Sequence, residues 1–330
     1  MMKKFICALL SVTLLVSGLF CGCGKDNETG SKNKISLLAD AKFEHGFDVE
    51  KTGVGNDTGG SRTRLDYMGT ALEGSYWTIA QHCCNKSLLL GTESKEGDWY
   101  VYTDHEEADE VSKTVRVNPQ TGSITLNALT SKDYLHPRQG SEGWIHLLIQ
   151  TGFTGVRELD VMEKLNLKIG FTFNRMDLMM TREEYDVNLH TAQFQLYFVI
   201  GTRNTRDESQ QMWFGVPFFD YRNTELTSYS GALDAGTNMY ISSMGNEDIM
   251  DEVASVEKRF DIDVDLKPYL ENALKNAQEK GFLANSVIDD LYLVNMNLGW
   301  EIPLTFDVGV DIHYFDLIAE IKSEYADDII

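Results

Sequence analysis

The chain has 330 residues, 42% of them hydrophobic, enough for one large β domain or two ordinary domains with a substantial core. Its 51 acidic residues against 29 basic ones leave a formal net charge of −22, a surface that repels phosphate backbones and excludes nucleic acid as a partner. The same charge repels anionic polysaccharide except at a local basic pocket, and otherwise serves solubility outside the cell.

Lys3 and Lys4 precede an apolar run from Phe5 to Phe20, and Gly22-Cys23 follows. The run is about 16 residues, short of the ~20 that a membrane-spanning helix needs. A basic start, a short apolar core and a small residue before the cut describe a secretory signal. Gly22-Cys23 also resembles the lipobox of bacterial lipoproteins, although Phe20 stands where leucine is usual and Cys21 is an unusual neighbour. That resemblance implies a signal peptide over residues 1–22 and a diacylglycerol on Cys23. It places the protein at a cell membrane, lipid-anchored and facing the extracellular or periplasmic side. An ordinary cleaved signal or an uncleaved anchor is the competing reading. Residues 24–34 (GKDNETGSKNK) contain no apolar side chain, so they form a flexible tether, and the folded domain spans 35–320.

Residues 54–64 (VGNDTGGSRTR) read as a loop, without the GxxxxGK[ST] spacing of a phosphate cradle. Short strands follow at 76–80, 98–103 and 113–118, and the turn Pro119-Gln120-Thr121-Gly122 makes a hairpin of 113–118 with 123–128. Cys83 and Cys84 read as a buried, reduced pair, because adjacent cysteines bond only with strain. His82-Cys83-Cys84 has no zinc spacing, and no metal site is assigned.

Period-two alternation from Leu159 to Phe173 predicts a half-buried strand. Longer strands follow at 192–201, 211–220, 237–243 and 255–266, with Pro217 marking an edge, bulge or bend. Pro268 opens the single persuasive helix, 268–280, closed by Gly281, with an apolar stripe that packs on a sheet. In the strand predicted over 287–302, Leu291, Leu293, Asn295 and Asn297 share one face. In the last strand, 306–318, Phe306, Val308, Val310 and Ile312 point inward, and residues 321–330 form an acidic, fraying tail. At least ten strands and one helix predict an all-β fold: an antiparallel two-sheet β-sandwich, jelly-roll-like, with one peripheral helix. No repeat near 40–50 residues supports a propeller.

No G-x-S-x-G or H-E-x-x-H is present. Asp104 to Asp109 is an acidic cluster that leaves room for a structural calcium, and no other cofactor is assigned. Glycosidase chemistry needs two carboxylates, and 51 acids do not single out a pair. Glu301, beside Trp300 at a strand end, is the most suggestive. Trp213, Asp220, Tyr221 and Arg222 combine rings with polar groups at another strand end, and Arg138 and Trp144 share the loop 134–146. Each of these side chains serves equally as core packing.

The strand-rich layout, with the stretches WFGVPFFD and NLGWEIP, resembles the concanavalin A-like or jelly-roll sandwiches of bacterial carbohydrate-binding and carbohydrate-active proteins. The resemblance implies a glycan ligand held by Trp144, Arg138, Trp213, Asp220, Tyr221, Arg222, Trp300 and Glu301. It carries over no catalytic residues, since the E-x-D-x-x-E cluster of many sandwich glycosidases is missing. Carbohydrate binding is the first expectation, a glycoside hydrolase or polysaccharide lyase the alternative, and a structural or adhesive surface protein the second alternative.

Overall fold

Alternating apolar and polar side chains build two sheets whose apolar faces meet. The structure, a computed structural model, describes residues 33–54, 64–234 and 236–329. The secretory-signal segment, Cys23, most of the tether and most of the glycine-rich loop after Val54 lie outside the described residues.

In chain order the strands are β1 (Lys34–Ser36), β2 (Phe47–Val49), β3 (Arg64–Leu65), β4 (Trp77–Ala80), β5 (Thr92–Glu96), β6 (Trp99–Thr103), β7 (Lys113–Asn118), β8 (Ser123–Leu129) and β9 (Ile145–Gly152). They continue as β10 (Met162–Leu178), β11 (Gln193–Thr202), β12 (Gln211–Asp220), β13 (Ser230–Leu233), β14 (Tyr240–Ser243), β15 (Arg259–Asp265), β16 (Leu291–Ile302) and β17 (Phe306–Ile321). The smaller sheet runs β15-β10-β17-β8-β7-β6-β5, with β1 also paired to β17. The larger runs β13-β14-β12-β11-β16-β9-β4-β2-β3. All pairs are antiparallel except β2 with β4 and β12 with β14, so the expected sandwich is present with two parallel exceptions.

The inner faces interlock through aromatic rings. Phe171 and Phe173 of β10 meet Phe194, Phe218, Phe219 and Trp300 of the larger sheet at centroid distances of 5.2–5.6 Å. Rings at this spacing add to the area they bury. Phe306, Val308, Val310 and Ile312 are fully buried, as their alternation predicts.

Three departures have local causes. The strand expected from Leu159 starts at Met162, because residues 159–161 close a 3₁₀ turn that buries Leu159. In β16 the alternation changes phase: the register passes from Val199↔Asn295 to Ile200↔Leu293, leaving Val294 as an extra residue. Leu291 and Leu293 therefore point inward with Met296, Leu298 and Trp300, while Asn295 and Asn297 point outward. The acidic tail does not fray at 321; it continues as a helix, α2 (Ser323–Ile329), after the longer helix α1 (Lys267–Glu279). Helix α1 buries Leu270, Ala273, Leu274 and Ala277, the predicted stripe, against β12 and β14. Pro217 falls beside a bulge, where Phe194↔Phe219 gives way to Gln195↔Pro217.

Candidate functional site

The outer face of the larger sheet carries the site. Four strands reach one rim together: β9 begins at Ile145, β11 begins at Gln193, β12 ends at Asp220 and β16 ends at Ile302. Their outward residues form a row, His146↔Glu301↔Gln193↔Asp220. Further from the rim lies the row Leu148↔Gly299↔Gln195↔Pro217, then Gln150↔Asn297↔Tyr197↔Gly215. Two glycines keep this surface low. A Cβ on Gly299, at φ +150°, would sit 2.3 Å from the Leu147 carbonyl oxygen, and one on Gly215 would sit 2.6 Å from the Tyr197 ring. Both positions need the missing side chain.

Rings frame the low ground. Tyr197 meets Trp213 edge-on at 6.0 Å. The Trp213 indole N–H donates to the Thr237 hydroxyl oxygen at 3.4 Å. Thr237 in turn donates through its hydroxyl and backbone N–H to the Asp234 carboxylate. The tip joining β13 to β14 is thereby docked against the indole.

Two carboxylates in the rim row differ sharply. Burial pushes the Glu301 carboxyl up to about 7; the Gln195 amide opposes this and the Asp234 charge adds to it. Burial also acts upward on Asp220, but the Arg222 guanidinium and the Thr191 hydroxyl outweigh it and hold Asp220 below the usual carboxylate range. The geometry agrees: Asp220 accepts from Thr191 Oγ1 at 2.7 Å, Gln193 Nε2 at 2.9 Å and Arg222 Nε at 2.9 Å. Burial, helped by His82, lowers His146 to about 4, so its imidazole is neutral at pH 7. Tyr197, pushed up to about 12 by burial, keeps its phenol proton.

The structure gathers some of the sequence-predicted residues and separates others. Trp213, Asp220, Arg222 and Glu301 share the outer face or its rim. Tyr221 turns toward the core, its ring 4.7 Å from Phe306. Arg138 and Trp144 stand on the loop before β9, where Trp144 is 39% exposed. Trp300 does not belong to the site. It is 0% exposed, and its indole N–H donates to the Leu126 carbonyl across the sandwich at 3.2 Å; the alternation that turns Glu301 outward turns Trp300 inward. The loop ends before His146, which lies within β9. Cys84 is buried, but Cys83 is only half-buried. In the acidic stretch 104–109, Asp104 is buried and pairs with Lys113 at 2.9 Å, which takes it out of any calcium site on that stretch. Among the described residues, no three or more His, Cys, Asp or Glu side chains are arranged to hold a metal ion.

Sequence reasoning passed over Gln193, Gln195 and Tyr197. The signal was present: in AQFQLYFVIG these three alternate with Phe194, Leu196 and Phe198, which are fully buried.

No protein-family model and no curated protein matches the sequence. Among solved structures the chain is similar to a family 12 xyloglucanase from Bacillus licheniformis, at 14% identity and TM-score 0.41, over 69% of this chain and 97% of that one. It is similar also to endoglucanase Cel12A from Rhodothermus marinus, at 12% identity and TM-score 0.38, over 68% and 93% of the two chains. A third is the xyloglucanase domain of NopAA, a type three effector from Sinorhizobium fredii, in complex with cellobiose, at 8% identity and TM-score 0.36, over 70% and 96%. At this level of likeness no activity passes from those enzymes to this chain.

Proposed function

We propose that the protein is a glycoside hydrolase working outside the cell, in which a polysaccharide crosses the outer face of the larger sheet and Glu301 protonates the leaving glycosidic oxygen. One observation carries the reading. Glu301 and Asp220 flank Gln193 in a single row, and their surroundings push their protonation in opposite directions. Hydrolysis of a glycoside needs one carboxyl that holds its proton and one that has lost it.

Two strand spacings separate the two backbones by about 10 Å. That fits an inverting arrangement, with carboxyls about 6.5–9.5 Å apart and a water between, better than the ~5 Å of a retaining one. Asp220 takes a proton from the water, the water oxygen bonds to the anomeric carbon from the face opposite the leaving group, and Glu301 gives its proton to the departing oxygen. Tyr197 and Trp213 offer ring faces to the C–H faces of the sugars.

Reducing-end release from a panel of polysaccharides tests the reading, with proton NMR of the first anomer formed. Inverted product is expected; retained product, or no release from any polysaccharide, sinks it. A second reading, capture without cleavage, has its own support: Thr191, Gln193 and Arg222 already occupy both oxygens of Asp220, which leaves that carboxylate a weak base. Tight binding with no sugar release marks that outcome.

The proposed setting rests on the sequence alone. A lipid on Cys23 and a polar tether would hold the domain at the membrane surface. Mass spectrometry of the mature N-terminus decides this, and an unmodified N-terminal residue refutes it.

A further inference from the structure

Past the strand ends that carry the rim row lies a shallow, open groove of about 860 Å³, lined by residues 136–140 on one side and 183–187, 189 and 190 on the other. We propose that this groove holds a flanking unit of a neutral glycan whose chain crosses the rim row, and that Tyr185 and Arg138 read that unit. The inference rests on the carbohydrate reading above and adds the ligand's charge class and a flanking contact beyond the rim row.

Position is the first argument. The two groove loops are fastened to the strand ends that carry the row. Arg138 N–H donates to the Leu304 carbonyl at 3.5 Å, just past the end of β16. His190 bridges the loops: its Nδ1 accepts the Asp186 N–H at 2.9 Å, which makes Nε2 the donor to the Arg138 carbonyl, also at 2.9 Å. An imidazole held at both nitrogens fixes the two walls relative to each other. Tyr185 lies 6.0 Å from Tyr221, the residue directly after Asp220. The groove therefore borders the strand ends that carry the row.

Chemistry is the second argument. Tyr185 is a half-buried ring on the groove wall, with the apolar Pro137 and Leu189 beside it. Arg138 forms no ion pair among the described residues. Its Nε donates to the Glu142 carbonyl at 2.8 Å and its Nη2 to the Gly140 carbonyl at 3.5 Å, which fixes the guanidinium and leaves the Nη1 N–H groups for ligand hydroxyls. The remaining lining charges are carboxylates, on Glu183, Glu184 and Asp186. In a chain of net charge −22, such a groove repels uronate or sulfate groups and accepts neutral hydroxyls.

Titration calorimetry of the intact protein with neutral oligosaccharide pairs, a dimer and a hexamer from each of the cello-, xylo- and manno- series, tests this. The hexamer of at least one series is expected to bind about tenfold or more tighter than its dimer. Tyr185→Ala and, separately, Arg138→Gln should each remove most of that gap and leave dimer affinity unchanged, with unaltered circular dichroism. Equal losses for both lengths, or no loss for either, overturn the groove while leaving the rim row intact. Tighter binding of hexagalacturonate than of every neutral hexamer overturns the charge class. Failure of every neutral oligomer to bind the unaltered protein overturns the groove and the carbohydrate reading together.

Discussion

His146 and Glu301 face each other across β9 and β16, and burial acts on them in opposite senses, lowering the imidazole to about 4 and raising the carboxyl to about 7. Between those values the pair carries little charge. The rim of the sheet is therefore a place where a proton is held on the carboxyl and kept off the ring, which is the state a general acid needs at neutral pH.

Stability should record this pair directly. His146 titrates at about 4 when folded and about 6.5 when unfolded, so its contribution is lost as pH falls from 6.5 toward 4. Glu301 titrates at about 7 when folded and about 4.3 when unfolded, so its contribution is present at low pH and lost as pH rises from about 4.3 to 7. Between roughly 4.5 and 6.5 the two slopes oppose each other, each at most about 1.4 kcal/mol per pH unit. Urea unfolding across that window should show Glu301→Gln gaining stability with rising pH relative to wild type, and His146→Gln losing it. Identical slopes for both variants would contradict the assignment.

Activity should follow Glu301 in the same sense. The rate should fall as pH rises through about 7, where the carboxyl loses its proton. Glu301→Gln should lower kcat by about 10²–10⁴-fold, the usual weight of general acid catalysis, with ligand affinity within a few-fold of wild type. Sugar release by Glu301→Gln at the wild-type rate removes Glu301 from the chemistry.

The fold was legible because period-two alternation is a direct consequence of strand geometry. Leu165, Leu167, Ile169, Phe171 and Phe173 are all fully buried or nearly so, as their spacing requires. What alternation does not report is a bulge: Val294 shifts the phase within β16, and nothing in the composition of LYLVNMNLGWEI marks it. The site was half legible. Glu301 stands at the strand end that the sequence indicates and faces outward, whereas the adjoining Trp300, expected to share its role, faces the core, because neighbours in a strand face opposite sides. Gln193 and Tyr197 are placed outward by the same alternation, in which Phe194, Leu196 and Phe198 turn inward. The pairing of Asp220 with Glu301 through Gln193 depends on strand order, which no local pattern encodes.

The tryptophans should separate by face. Trp300→Ala empties the centre of the aromatic cluster and should cost about 3–5 kcal/mol. Trp213→Ala alters a half-exposed ring on the outer face, so its stability cost should be below about 1.5 kcal/mol while glycan affinity drops about tenfold. Denaturant midpoints and ligand titrations on the two variants check this, and a reversed pattern would exchange the core and ligand roles assigned to these rings.

Lys113 and Asp104 give a prediction independent of function. Their side chains are 2% and 0% exposed and meet at 2.9 Å. Burial works against both charges; Lys113 and Ser112 nevertheless hold Asp104 below its ordinary range, while Cys84 and Asp104 hold Lys113 above its own. Lys113 also donates to the Lys86 carbonyl at 2.7 Å, and Asp104 accepts the Ser112 N–H at 2.9 Å. Removing one partner leaves the other charge buried without compensation. Lys113→Met should therefore destabilise the protein by about 3–5 kcal/mol, whereas the double variant Lys113→Met with Asp104→Leu should recover much of that loss, because a buried ion pair adds little over apolar packing of similar volume. Urea denaturation of the three proteins measures both effects. A loss below about 1 kcal/mol for Lys113→Met would mean that water reaches Asp104, contrary to its burial.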